Sequence, residues 1–396
     1  MTPKRERIFF LDNLRSLIMV WVVVLHGAIT YMEYPPSWYP VVDPQRSLVF
    51  TVLIMLVEPT LMTAMFFIAA YFALPSIRQH GAAVFLKSKL ARIGVPWVLG
   101  VVLVVPPVDY LFLMARHSPV GLLEFCTGEF WREHYHQGPF WFLGGLMFFF
   151  LLFTLACRMM PGLLTPPDRA VRPTWQMLSA FWALMTLGMF AVQACFGQDG
   201  GFHLFGKVLA VMPSRIHLYS GYFVLGLLAW RNRWFTAEGY TPRMVPWLVT
   251  LAVSMLLYSA SRALSHDAKS LQILAGILHL DSGSDMLRST AQMTLLMKLV
   301  NAALFNAMSL SALMGFCALF KRRCNSSGPA QRSLSDNSFG IYFIHSAVLY
   351  PVAYVFLGSA LPLFVKATVV ITLGFFLSWA ASALFLRRAP FLRRFF

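Results

Sequence analysis

The sequence is poor in charged residues, which make up only 12% of its 396 positions, whereas hydrophobic residues make up 58%. A soluble globular domain has about a quarter of its residues charged. This composition therefore excludes an ordinary soluble enzyme. Apolar runs of about 20 residues recur along the chain instead, and a helix needs about that length to cross the hydrocarbon core of a bilayer.

Cysteine is also scarce. The five cysteines, at positions 126, 157, 195, 317 and 324, form neither CxxC nor CxxH spacings. Such spacings mark zinc sites, and dense cysteine marks a disulfide scaffold. We therefore expect neither a metal cofactor nor a disulfide framework. A small-residue cleavage site is also lacking after the first apolar run, so we interpret that run as an uncleaved span and not as a signal peptide.

The apolar runs define the predicted fold. Their length favours helices over the short alternating strands of a membrane barrel. The sequence shows no internal repeat, no low-complexity tract and no appended soluble domain. We therefore predict an all-α, polytopic integral membrane helix bundle that forms one domain over residues 1–396. Its ten predicted runs are 12–32, 47–74, 93–115, 140–159, 176–196, 216–230, 245–264, 293–320, 336–357 and 362–386.

The formal net charge is +16, which in a soluble protein would suggest nucleic-acid binding. Here the Lys and Arg residues concentrate in alternate short segments between apolar runs, starting with KRER at the N-terminus and ending with RRAPFLRR. Basic residues favour the cytoplasmic side of a membrane. We therefore expect both termini inside, about ten spans in a lipid bilayer, and no nucleic-acid partner.

The first run, FFLDNLRSLIMVWVVVLHGAITYM, carries ionisable residues that are costly inside a membrane and often mark function. Arg15 and His26 are eleven residues apart, which places them on nearly the same helix face, about 16 Å apart along the axis. Asp12 precedes Arg15 by three residues and could pair with it. Either Arg15 and His26 face one cavity, or Asp12 and Arg15 form an interfacial ion pair while His26 bonds a neighbouring helix.

A second histidine lies in the segment LSDNSFGIYFIHSAVLY. Ser338 and Tyr342 precede His345 by seven and three residues, so the three share a helix face. Asp336 and Asn337 resemble residues that cap the start of a helix. We favour a positioning or structural role for His345 over that of a base.

Glu58, which precedes Pro59, is a further acid within a predicted span. It could orient a histidine or line a cavity, or it could be a protonated residue that packs within the bundle. The proline frees backbone groups that must be satisfied locally.

A basic patch, FLKSKLARIGVPW, lies directly before the third run and contains Lys87, Lys89 and Arg92. It is either a topology determinant in contact with anionic lipid or a mouth that binds phosphate groups.

The predicted outer loops are longer than the inner ones and rich in aromatic, acidic and histidine residues, as in MEYPPSWYPVVDPQR and RHSPVGLLEFCTGEFWREHYHQG. Aromatic residues near span ends usually serve as interfacial anchors. Trp38 and Trp141 could instead bind a polar substrate from the outer side.

These motifs together resemble the acyltransferase-3 family of integral membrane acyltransferases. The resemblance begins with FLDNLRSLIMVWVVVLH, which matches a first span carrying an Arg, ten residues and a His. It continues in order through AMFFIAAYF, KLARIGVPW, PFWFLGGLMFF, SGYFVLGLLAW and NSFGIYFIHSAVL, and so covers essentially the whole chain. Among subgroups the chain looks most like periplasmic glucan succinyltransferases and surface-polysaccharide O-acetyltransferases.

The resemblance implies an enzyme of the bacterial inner membrane that moves an acetyl or succinyl group from cytoplasmic acyl-CoA to a hydroxyl of an extracytoplasmic glycan. His26 would be the general base. Tyr342, His345 and Glu58 would assist it, and Arg15 would bind CoA together with the basic patch. The family commonly has Arg-x-x-Arg where this chain has Lys89-Leu-Ala-Arg92, which loses one bidentate fork, and Ala69-Ala70 replaces a usual Ser-Gly.

Two other classes of function are compatible with the composition. A secondary transporter could use intramembrane His and Glu for proton coupling, although inverted repeats are not detectable. A scaffold for an envelope complex would leave the polar residues of the spans unexplained.

Overall fold

The computed structural model describes residues 8–115, 120–165, 167, 169–196, 202–206, 208–266 and 286–395. Within them the protein is a helix bundle. Its α-helices are α1 (Phe9–Ile29), α2 (Leu48–Lys89), α3 (Val95–Leu99), α4 (Val105–Met114), α5 (Leu122–Glu124), α6 (Trp141–Met159), α7 (Trp175–Phe196), α8 (Pro213–Arg231), α9 (Met244–His266), α10 (Met286–Arg323), α11 (Pro329–Val355) and α12 (Leu363–Ala381). Wider π-helical turns occupy Leu90–Gly94, Gly100–Val104, Phe125–His134 and Ser382–Leu386, and 3₁₀ turns occupy Gly138–Phe140 and Pro161–Leu164.

Eight helical stretches of the described chain are long and apolar enough to cross a membrane. This confirms the all-α, multi-pass architecture. One of the eight, Leu48–Met114, has 67 residues and would be about 100 Å long if straight, more than three times the hydrocarbon thickness. It contains two of the predicted runs. The sixth predicted run falls in α8, which is not among these eight stretches, so nine of the ten runs lie in a candidate crossing. The N-in and C-in orientation stays a prediction.

Gly81 divides this long stretch. Its backbone has φ 79° and ψ 163°, a conformation that residues with a Cβ rarely adopt. The break falls between the predicted second and third runs. The chain can therefore end one crossing near Gly81 and begin the next in the basic patch that follows.

Helix α1 lies at the centre of the bundle, where it packs against α2, α10, α11 and α12. Fully buried residues point in several directions around α1, as Leu11, Val23 and Ala28 do. Burial on several sides holds α1 rigidly, so polar residues on its remaining face have defined positions.

The predicted outer side carries structure that the apolar runs did not reveal. Two short antiparallel strands, β1 (His203–Phe205) and β2 (Leu209–Val211), form a hairpin. The segment between α1 and α2 folds back, because Asp43 N–H donates to Thr30 O at 2.9 Å and Ser47 N–H donates to Tyr31 O at 2.9 Å. Both features cover the end of the bundle above His26.

The interpretation of Asp336 and Asn337 as helix-capping residues is wrong. Helix α11 begins seven residues earlier, at Pro329, after the N-cap Gly328. Proline is favoured in the first turn because its missing N–H needs no partner there. Asn337 is buried and donates to Ser333 O at 2.8 Å, as a residue inside a helix.

Candidate active site

A cavity of about 480 Å³ lies at the predicted outer end of the bundle, beneath the hairpin and the α1–α2 segment. His26 lines it, as do both aromatic residues predicted to bind substrate, Trp38 and Trp141. The cavity therefore joins residues that are far apart in the sequence. The other lining residues are Ile29, Tyr39, Pro40, Val105, Val108, Asp109, Phe112, Glu133, His134, Tyr135, His136, Gln137, Gly138, Pro139, Phe202, Leu204, Ala210, Ser346 and Tyr350.

The hydrogen bond of His26 defines its tautomer. Nδ1 lies 2.8 Å from Val22 O, one turn back along α1. A carbonyl oxygen can only accept, so Nδ1 carries the proton, and Nε2 keeps its lone pair in the neutral ring. The ring of His26 therefore offers a basic nitrogen within a cavity that it lines.

His345 contacts His26 from α11. The two rings meet edge to face with centroids 4.9 Å apart. Nδ1 of His345 donates to Tyr342 O at 2.6 Å, which leaves a lone pair on Nε2 in the neutral ring. The side chain is fully buried, and Nε2 has no hydrogen-bond partner among the described residues. His345 thus lies behind His26, outside the set of residues that line the cavity.

Two tyrosine hydroxyls form hydrogen bonds that connect the cavity wall to the helices of this histidine pair. Tyr39 donates to the backbone carbonyl of His26, and burial raises the pKa of Tyr39 well above its ordinary value, so its hydroxyl stays a donor. Tyr342 is buried and donates to Pro139 O at 2.5 Å. These bonds fix the α1–α2 segment and the turn before α6 to the helices that carry His26 and His345.

Trp38 and Trp141 differ in their exposure. Trp38 is 52% exposed at the cavity mouth, next to Tyr39. Trp141 is partly buried, with its ring centroid 5.5 Å from Tyr219 and 5.1 Å from Phe202. The structure therefore provides one exposed aromatic residue at the entrance and one partly buried aromatic residue deeper in the cavity.

Arg15 lies on α1 away from this cavity. One of its terminal nitrogens is 3.5 Å from the Asp12 carboxylate, as the spacing predicts. Its Nε is buried and has no hydrogen-bond partner among the described residues. An unsatisfied guanidinium donor in a buried position is suited to an anionic ligand.

The basic patch surrounds the π-helical turn Leu90–Gly94. Lys87 and Arg92 are exposed. Lys89 is half-buried, and its ammonium lies over the rings of Phe150 and Phe85, 4.7 and 5.4 Å from their centroids. None of these basic residues lines the cavity that holds His26, so any ligand they share with His26 must be long.

Glu58 is paired with Arg215 on α8, with 3.4 Å between the charged atoms. The guanidinium of Arg215 also lies 3.9 Å from the ring centroid of Phe305. Glu58 is not among the cavity-lining residues. The predicted role of Glu58 in catalysis stays a prediction, and its visible contact is an ion pair between helices.

Sequence reasoning missed a second polar pair in the cavity. Asp109 is buried, and its Oδ1 lies 3.2 Å from Nε2 of His136. Gly138 N–H donates to Nδ1 of His136 at 3.0 Å. An acid within the run VPPVDYLF was the available signal for Asp109, but nothing local connects it to a histidine in the next loop.

The cavity rim also contains Glu133 and His134, with Glu129 beside them. One ligand atom from each of the three lies within 4.8 Å of the others, a spacing that a cation could use. The groups are partly or fully exposed, and exposed carboxylates often cluster without an ion. We therefore assign no metal to them.

Comparison with known proteins supports one family. The model of the acyltransferase domain family Acyl_transf_3 matches residues 8–387. Searches of the curated proteins and of the solved structures gave no match. Since the matched region covers nearly the whole chain and the fold is a multi-pass helix bundle, the protein belongs to the acyltransferase-3 family of membrane acyltransferases.

Proposed function

We propose that the protein is an O-acyltransferase of the bacterial inner membrane, which transfers an acetyl or succinyl group from cytoplasmic acyl-CoA to a hydroxyl of an extracytoplasmic glycan. The supporting observation is the free Nε2 of His26 in a cavity lined by Trp38 and Trp141 on the predicted outer side. His26 would be the base for the acceptor hydroxyl, and the two tryptophans would be the aromatic surface for a sugar.

In the proposed reaction, Nε2 of His26 removes the proton of the acceptor hydroxyl as its oxygen attacks the thioester carbonyl. The carbon–sulfur bond then breaks, and the thiolate leaves with the proton that His26 holds. His26 is the catalytic residue in this scheme. His345 and Tyr342 are positioning residues, since His345 packs against the ring of His26 and Tyr342 holds the cavity wall through Pro139.

The donor would lie along α1. Arg15 is about 16 Å from His26 along the helix axis, and acyl-CoA carries its phosphates and its thioester at opposite ends of a long arm. The unsatisfied Nε of Arg15 is suited to a phosphate. Lys87, Lys89 and Arg92 would add positive charge at the cytoplasmic mouth.

Purified protein in detergent, incubated with radiolabelled acetyl-CoA or succinyl-CoA and with envelope glycans such as periplasmic glucans or lipopolysaccharide, tests this proposal. We expect label to move to a glycan hydroxyl and to be released by mild base, as for an ester. Proton-coupled uptake of a solute into proteoliposomes, without acyl transfer to any glycan, would favour the transporter class instead.

A further inference from the structure

Among the described residues that line the cavity holding His26, none is Lys or Arg, although the chain has 32 of them and a net charge of +16. It does contain the carboxylates of Asp109 and Glu133. A strongly basic protein thus has an acidic, aromatic cavity on its predicted outer side.

The geometry of His136 shows that the charge of Asp109 is not neutralised by it. The backbone N–H of Gly138 donates to Nδ1 of His136 at 3.0 Å, so Nδ1 must keep its lone pair. An imidazolium has protons on both ring nitrogens and could not accept this bond. With Nδ1 accepting, His136 is not an imidazolium in this arrangement. Its Nε2 lies 3.2 Å from Oδ1 of Asp109 but makes no hydrogen bond among the described residues.

The rim carries the same sign of charge. His134 lies 3.5 Å from Glu129, and Glu133 is nearby. Even a protonated His134 would compensate only one of these two carboxylates. Arg132, a basic residue of the same described segment, has its guanidinium beside Gly128 and does not line the cavity.

Hydrogen bonds of the Gln137 side chain hold the loop that follows Glu133 and His136. Gln137 is buried, accepts from the Trp97 indole N–H at 3.2 Å and donates to Val208 O at 2.5 Å, which joins the loop before α6 to the hairpin. The residue Asp109 is itself only 5% exposed. A ligand in the cavity would meet a fixed negative charge in a poorly solvated place, where charge repulsion is least screened.

We propose that Asp109, supported by Glu133 at the rim, selects the acceptor by charge, so that the sugar unit in the cavity carries no carboxylate, phosphate or other negative group. A neutral saccharide can donate its hydroxyls to Asp109 in charge-assisted hydrogen bonds and lie against Trp38 or Trp141. An anionic saccharide meets like-charge repulsion. This inference rests on the proposed function, because it names the class of acceptor for the same cavity.

The test measures binding without an acyl donor, by isothermal titration calorimetry on the purified full chain in detergent. The two ligands are a neutral β-glucan oligosaccharide and the same oligosaccharide with one glucose oxidised to a uronic acid. Two unit charges several ångströms apart at a protein surface repel by an amount equal to about 10- to 100-fold in affinity. We expect the neutral ligand to bind more tightly by about that factor.

Two variants assign the selection to its residues. Asp109→Asn should bring the two affinities to within about threefold of each other. Glu133→Gln, which changes an exposed residue and should leave folding unaffected, should lower the ratio by a smaller factor. Glu124→Gln is the matched control, because Glu124 is an exposed carboxylate of the same segment that does not line the cavity. It should leave the ratio unchanged.

Equal or tighter binding of the uronic acid by the unmodified protein would overturn the charge selection alone. A ratio that survives in both Asp109→Asn and Glu133→Gln would overturn its assignment to these residues. Failure of both saccharides to bind would overturn the charge selection and the glycan acceptor together. Selective binding without any acyl transfer would leave the selection intact and contradict the proposed reaction.

Discussion

The side chains of His26 and His345 meet edge to face across α1 and α11, with ring centroids 4.9 Å apart, and each donates its Nδ1 proton to a carbonyl of its own helix. In the neutral rings both Nε2 atoms therefore keep a lone pair. Their surroundings differ, since His26 lines the cavity while His345 has no exposure. This difference separates the proposed base from the residue that positions it.

His345→Gln should lower kcat by about 10- to 100-fold with little change in KM for either substrate. A small displacement of His26 slows proton transfer but leaves the contacts that bind the substrates unchanged. The inflection of the pH–rate profile should persist, since the base remains. Steady-state kinetics over a range of pH check both points. His217→Gln, at a half-buried span histidine outside the cavity, is the control. Loss of the inflection in His345→Gln would make His345 the base.

The sequence singled out His26 because an ionisable residue within an apolar run is a local signal. The shared helix face of Arg15 and His26 is also local, but Arg15 does not line the cavity. The cavity itself depends on long-range packing. Asp109 and His136 meet only because a π-helical segment and the turn at Gly138 return the chain to α4. The hairpin consists of two strands of three residues, too short for any alternating pattern.

A buried ion pair fixes the α1–α2 segment, since Lys366 on α12 lies 3.1 and 3.3 Å from the two carboxylate oxygens of Asp43, and both side chains are about 1% exposed. Lys366→Met should destabilise the fold by about 3 to 5 kcal/mol, because it leaves a buried carboxylate without its partner. The double variant with Asp43→Asn should recover most of this loss. Unfolding in detergent measures the free energy of unfolding of Lys366→Met, Asp43→Asn and the double variant.

The surface pair of Asp336 and Arg387, 3.8 Å apart and about one-third exposed, provides the comparison for this ion pair. Asp336→Asn should change stability by less than about 1 kcal/mol. If Lys366→Met were no more destabilising than Asp336→Asn, the Asp43 pair would have no role in holding the cavity wall.

Neutralising the basic patch tests the donor site. Arg92→Gln and Lys87→Gln each remove a charge that would bind the phosphates of acyl-CoA, so each should raise KM for acyl-CoA by about 10-fold with kcat nearly unchanged. Both residues are exposed, so the effect should shrink at high salt. Lys89→Gln should also lower stability, because the Lys89 ammonium packs on Phe150 and Phe85. Kinetics at low and high salt, with protein checked for insertion, measure these effects. An unchanged KM would reduce the patch to a topology determinant.

Labelling with a membrane-impermeant thiol reagent tests the orientation. In a variant without its own cysteines, a cysteine at Tyr34, which is 70% exposed, should react from the periplasmic side of intact cells with a permeable outer membrane. A cysteine at Val84, which is 57% exposed, should react only after lysis. The reverse pattern would contradict both the predicted topology and the side assigned to each substrate.

The proposed reaction depends most directly on His26. The decisive measurement is a single-turnover transfer of label from acyl-CoA to glycan by His26→Ala, beside His203→Ala, which removes an exposed histidine of the same predicted side outside the cavity. We expect His26→Ala to insert normally, to bind acyl-CoA, and to lose transfer by at least about 100-fold, while His203→Ala remains fully active. Full transfer by a correctly inserted His26→Ala protein would contradict the assignment of His26 as the base.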